Sequence, residues 1–123
     1  RASAPAPLPV DLGRRVGEAS RVVPIRIGDD IPAAHRNRKL RDVVLRIQSA
    51  GSVQGDALAV TLGKAAAVIA ESGGENRYEL ALHPATVVPG VNELKLEIAR
   101  RGPGARQVLT IKHVNVDVRY RRT

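Results

Sequence analysis

The sequence predicts an all-β protein, an antiparallel β-sandwich of the jelly-roll type with an extended Pro-rich N-terminal arm. Three observations predict it. Runs with an apolar residue at every second position recur along the chain, as strands with one buried face require. Gly- and Pro-rich turns separate these runs, and no stretch carries the wide apolar stripe of an amphipathic helix. Seven or eight short strands spaced in this way are the pattern of a sandwich or barrel. The 123 residues suit a single domain, read as an arm over residues 1–12 and a sandwich over 13–123.

The elements follow in order. Residues 1–9, RASAPAPLP, hold three prolines and favour an extended polyproline-like conformation. RVVPIRI over 21–27 is β-branched, and Pro24, which has no N–H for a ladder, restricts it to an edge or a bulge. Residues 32–41, PAAHRNRKLR, are too charged to own an apolar face and read as a loop. Val43, Leu45 and Ile47 then alternate with polar residues, Val44 being the exception. Leu58, Val60 and Leu62 form the next strand, and Gly63-Lys64 reads as the turn of a hairpin whose second arm is 65–70. Tyr78, Leu80 and Leu82 mark another strand. Pro89-Gly90-Val91-Asn92 is a turn leading into Leu94, Leu96 and Ile98. After the turn at 101–105 the chain closes with Leu109, Ile111, a break at Lys112-His113, and then Val114, Val116, Val118 and Tyr120. Were these last two strands neighbours, Lys95 with Glu97 and Asp117 with Arg119 would pair charges across a ladder.

The residue inventory excludes more than it selects. The core is aliphatic, because the chain has no Phe, Trp, Met or Cys. Lack of cysteine removes disulfides, thiolate metal sites and cysteine nucleophiles. No apolar run approaches the 18 or so residues of a membrane-spanning helix. The net charge is +8, with clusters at Arg36, Arg38, Lys39 and Arg41, at Arg100, Arg101 and Arg106, and at Arg119, Arg121 and Arg122. Such clusters solvate a surface or attract polyanions. Nucleic acid is a poor match, since single-strand binding relies on aromatic stacking and only Tyr78 and Tyr120 are present.

Two passages carry a resemblance. DALAVTLG over 56–63 and PGVNELKLEI over 89–98 match, through Asp56, Leu58, Val60, Leu62 and Gly63 and through Pro89, Gly90, Asn92, Leu94, Leu96 and Ile98, the strand and turn motifs D-x-L-x-V-x-L-N-G and P-G-x-N-x-L-x-L-x-I. Across residues 21–121 the chain resembles the galactose-binding-like β-sandwich accessory modules of secreted bacterial glycoside hydrolases and surface proteins. It departs where Leu62 runs straight into Gly63 without the usual Asn. The resemblance implies a non-catalytic module that binds sugar or packs against a neighbouring domain.

The candidate chemistry is correspondingly spare. His35, His83 and His113 fall in three separate connecting contexts, and no HExxH, GxSxG or P-loop motif occurs. The chain is therefore read as no enzyme. Asp29 and Asp30 on a Gly-containing turn are turn formers that also offer the oxygen ligands a structural calcium takes; otherwise no cofactor is expected. Without Trp there is no sugar-stacking platform, and the two tyrosines sit in inward phases. A bound glycan is then expected to be acidic and held by Arg36, Arg38 and Arg41, whose planar guanidinium forks match carboxylates. Val10 and Leu12 are candidates to add a strand to a sheet edge, whether of this domain or of a neighbour.

The expected function is a non-catalytic extracellular or cell-surface module mediating carbohydrate binding or domain packing. The alternative is a self-assembling structural subunit of a surface layer, filament or shell that lends its N-terminal arm to a neighbour. The Ala/Pro-rich start is compatible with processing just upstream.

Overall fold

The computed structural model describes residues 8–27, 31–73 and 76–121. Residues 1–7 of the arm, and the candidate ligands Asp29 and Asp30, lie outside the described residues. Among the described residues, eight antiparallel strands form two four-stranded sheets. The first contains β1 (Val10–Asp11), β3 (Leu40–Ala50), β6 (Arg77–Ala81) and β8 (Thr110–Tyr120) in the order β1-β8-β3-β6. The second contains β2 (Arg21–Ile27), β4 (Ala57–Leu62), β5 (Val68–Glu71) and β7 (Gly90–Arg100) in the order β2-β7-β4-β5. The protein is an all-β sandwich.

Period-two alternation is what holds the layers together. Val43, Leu45 and Ile47 of β3 point inward from the first sheet, and Leu58, Val60 and Leu62 of β4 from the second, joined by Leu94, Leu96 and Ile98 of β7 in one buried cluster. Register pairs Leu58 with Ile98, Val60 with Leu96 and Leu62 with Leu94, so the inward rows coincide rung by rung. Each fully buried Leu or Ile stabilises by about 1.5–3 kcal/mol relative to an exposed one. Tyr78, 1% exposed, is the one aromatic side chain in this core. Its phenol reaches the hydroxyl of Ser52, which in turn meets Ser49, so the buried oxygen is satisfied.

Pro24 does lie on an edge strand, as its missing N–H requires. The alternation at Val44 also has a structural counterpart: it faces the outer side of its sheet yet is only 9% exposed. Other expectations need correction. The segment read as a loop contains α1 (Ile31–Arg36), a six-residue helix. Its charge is confined to its C-terminal end, while Ala34 rests on the core. The turn after β4 is longer than Gly63-Lys64, because Val60 pairs with Val68 and residues 63–67 bridge the two strands. Tyr120 keeps the inward phase, opposite the buried Leu40, but is 47% exposed because it occupies the last rung of β8. Finally, β7 and β8 belong to different sheets. Asp117 and Arg119 therefore find partners on β3: Arg46 sits 2.9 Å from Asp117, and Arg119 sits 2.7 Å from Asp42.

Candidate functional site

Strand directions divide the connections between two ends of the sandwich. One end collects residues 13–20, 51–56, 72–73, 76 and 101–109; the other collects 31–39, 63–67, 82–89 and 121. The two ends treat their charges differently.

At the first end Asp56, Arg100, Arg101 and Glu18 serve the backbone. Asp56 is fully buried and accepts hydrogen bonds from the N–H of Val53 at 2.9 Å, the N–H of Gly102 at 2.6 Å and Nε of Arg101 at 3.2 Å. Arg101, 10% exposed at its side chain, donates three further hydrogens to the carbonyls of Arg14, Gln107 and Gly51. This buried pair ties three loops to one point. Gly102 admits that approach because a Cβ there would run into the carbonyl of Gln54. Arg100 donates to the Gly55 carbonyl and to Glu71. Glu18 accepts the N–H groups of Arg14 and Arg15, and these bonds lower its pKa. Of the cluster at Arg100, Arg101 and Arg106, one of three able to attract a polyanion, the first two are thus occupied with structure, while Arg106 is exposed and makes no ion pair among the described residues.

The second end gathers Arg36, Arg38 and Arg41, each at a backbone irregularity. Arg36 is the last residue of α1. Arg38, two residues on, has φ +58°, the left-handed conformation that glycine or asparagine adopts more readily. Arg41 is the extra residue of a β-bulge, for Leu40 pairs with Tyr120 and Asp42 with Arg119, leaving Arg41 without a rung. All three are exposed. Among the described residues Arg36 and Arg38 make no ion pair, and Arg41 only approaches Asp42 at 3.9 Å.

Sequence reasoning kept the histidines apart, but the fold brings two together. The 3-10 turn Pro84–Thr86 lies against α1, and the His35 and His83 rings meet edge-on with centroids 6.1 Å apart. His83 also borders a cleft of about 220 Å³ lined by Leu62, Ala65, Val68, Leu82 and Thr86 among others. This cleft was invisible in the sequence because its lining alternates between core and loop residues. His113 faces the outer side of the first sheet, opposite Gln48. No three His, Asp or Glu side chains converge among the described residues.

Val10 and Leu12 also have a definite place. Val10 pairs with Ile111, and the N–H of the fully buried Leu12 donates to the Leu109 carbonyl at 2.8 Å, so this segment closes onto its own sheet. The two polar residues of the resembling motifs prove to be staples. Asp56 holds the loops just described, and Asn92 accepts from the Val88 N–H at 3.0 Å while donating back to the Val88 carbonyl at 2.8 Å. No family model, no curated protein and no solved structure matches this chain. No helix among the described residues is long and apolar enough to cross a membrane.

Proposed function

We propose that this chain is a non-catalytic, extracellular carbohydrate-binding module of jelly-roll topology that holds an acidic glycan at the α1 end of the sandwich. The strand order, in which each sheet takes alternate members of successive hairpins, is what supports the jelly-roll reading. The observation that carries the function is the contrast between the two ends. At one end the paired arginines Arg100 and Arg101 are taken up by carbonyls and carboxylates, whereas Arg36, Arg38 and Arg41 stand exposed on a helix end, a left-handed residue and a bulge.

Guanidinium groups offer a uronate carboxylate paired N–H donors. The neighbouring cleft of about 220 Å³ offers aliphatic side chains to the C–H face of a sugar, a role that aromatic rings would otherwise fill. The self-assembly alternative has less support, because Val10 and Leu12 are already engaged with β8 of their own domain.

Calorimetric titration of the full chain with polygalacturonate oligosaccharides tests the reading. Binding is expected to weaken steadily as salt rises from 50 to 500 mM, as for contacts between exposed charges, where the screening length falls below about 10 Å. The double substitution Arg36→Ala/Arg41→Ala should weaken binding at least tenfold with no change in fold stability. Equal affinity in the double variant, or no binding by the unaltered chain, would refute it.

A further inference from the structure

The outermost strand of the second sheet carries a surface that no glycan contact explains. Edge strands offer unpaired backbone groups to any extended chain, and folds guard them with proline, charge, brevity or cover. The two-residue β1 bears Asp11, β2 carries Pro24 at its centre, and β6 presents the exposed Arg77 and Glu79. β5 is guarded by brevity alone.

The residues of this edge favour contact. Ala66, Ala67, Val68 and Ile69 form an unbroken exposed apolar run, with Val68 48% and Ile69 50% exposed. The ladder also fixes which backbone groups are open. The N–H of Ser72 donates to the Asp56 carbonyl at 3.0 Å, and Ala70 and Val68 follow it at period two in facing β4. Ile69 and Glu71, and by continuation Ala67, therefore turn their N–H and C=O groups outward. No backbone partner among the described residues takes these groups up.

We propose that β5 pairs antiparallel with β5 of a second copy about Val68, merging the two second sheets into one. Rungs between the copies must join residues whose backbone groups both face outward. The pairing about Val68 meets that condition, setting Ala67 opposite Ile69 of the second copy and Ala65 opposite its Glu71. It also brings each Glu71 beside Lys64 of the other copy. Lys64 is exposed and makes no ion pair among the described residues, where Glu71 is engaged by Arg100 alone. A second copy thus brings a carboxylate to each Lys64 and opposes no like charges on these rungs. That self-complementarity selects a second copy over an unrelated strand.

Sedimentation equilibrium and single-cysteine cross-linking of the full chain test the pairing. The mass should rise towards that of two chains across about 10–500 µM, the range of a small interface. Val68→Lys sets two ammonium groups face to face and should weaken association at least tenfold. The chain has no cysteine of its own. On mild oxidation Val68→Cys should cross-link at least tenfold faster than Ile69→Cys, a neighbour of similar exposure. The two Val68 sites form a non-hydrogen-bonded pair with Cα atoms about 4.5 Å apart, within reach of a disulfide, whereas the two Ile69 sites are diagonal, about 7–8 Å apart and beyond it. The cysteine variants report the register independently of whether the lysine variant folds. A monomer throughout the concentration range, undiminished association of a folded Val68→Lys variant, or equal cross-linking of the two cysteine variants would each overturn the proposal. None of these measurements involves a glycan, so the two proposals fail separately.

Discussion

Asp56 shows at the scale of one residue how a buried charge can be structural. It carries no solvent exposure, yet its carboxylate is met by two backbone N–H groups and one guanidinium. Removing it strands Arg101, which is nearly as buried, and leaves the Val53 and Gly102 N–H groups unsatisfied. Breaking one side of a buried pair typically costs about 3–5 kcal/mol. Asp56→Ala is therefore expected to lose stability of that order in urea unfolding, and a loss below about 1 kcal/mol would mean that solvent reaches the pair.

Tyr78 makes a second residue-scale prediction. Burial, the dominant cause, raises its phenol above the ordinary tyrosine value, and the Ser52 hydrogen bond only partly counteracts this. A folded value above the unfolded one means that the stabilisation is complete below about pH 10 and is lost as pH climbs through the folded value. In a Tyr120→Phe variant the remaining phenolate absorbance should appear with a midpoint above about 10, together with the onset of unfolding; a midpoint at the ordinary value would contradict it.

At the scale of elements, the strands were legible and the irregular pieces were not, for a physical reason. A strand with one buried face leaves a period-two record that no other element imitates, so β3, β4, β7 and β8 can be read from Val43, Leu58, Leu94 and Val114 onward. The short helix α1 leaves no comparable record. At six residues it is too brief to repeat an apolar stripe, and it is held by the contact of its Ala34 with the core and by the turn Pro84–Thr86. Pairing is equally hidden, because alternation does not say which strands are neighbours. The charges of Asp117 and Arg119 were read correctly as outward, but their partners Arg46 and Asp42 follow only from β3 lying beside β8. For the same reason the site was half legible. Arg36, Arg38 and Arg41 stand out as a run, whereas the meeting of His35 with His83 depends on a contact between residues 48 positions apart.

Across the whole molecule, the proposed glycan reading separates stability, at the Asp56 end, from binding, at the α1 end. Asp56 and Arg101 spend their charges on the loops of their end, so substitution of either should lower stability first. The end bearing Arg36, Arg38 and Arg41 spends none of comparable burial, and it even carries a conformational penalty at Arg38. A left-handed backbone costs a side-chain-bearing residue about 1–2 kcal/mol. Glycine removes that penalty but adds freedom to the unfolded chain worth about 0.4–1 kcal/mol. The difference favours glycine, so Arg38→Gly should raise stability by roughly 0.5–1 kcal/mol. Asn76, at φ +62°, is the contrasting case, a residue type that tolerates the same conformation. On the proposed reading, contact of the Arg38 guanidinium with the glycan offsets that penalty. Arg38→Gly should accordingly melt higher and bind polygalacturonate more weakly, both measured on one preparation. A variant that melts higher and binds equally well would show that Arg38 is merely tolerated, and would move the anionic site away from this end of the sandwich.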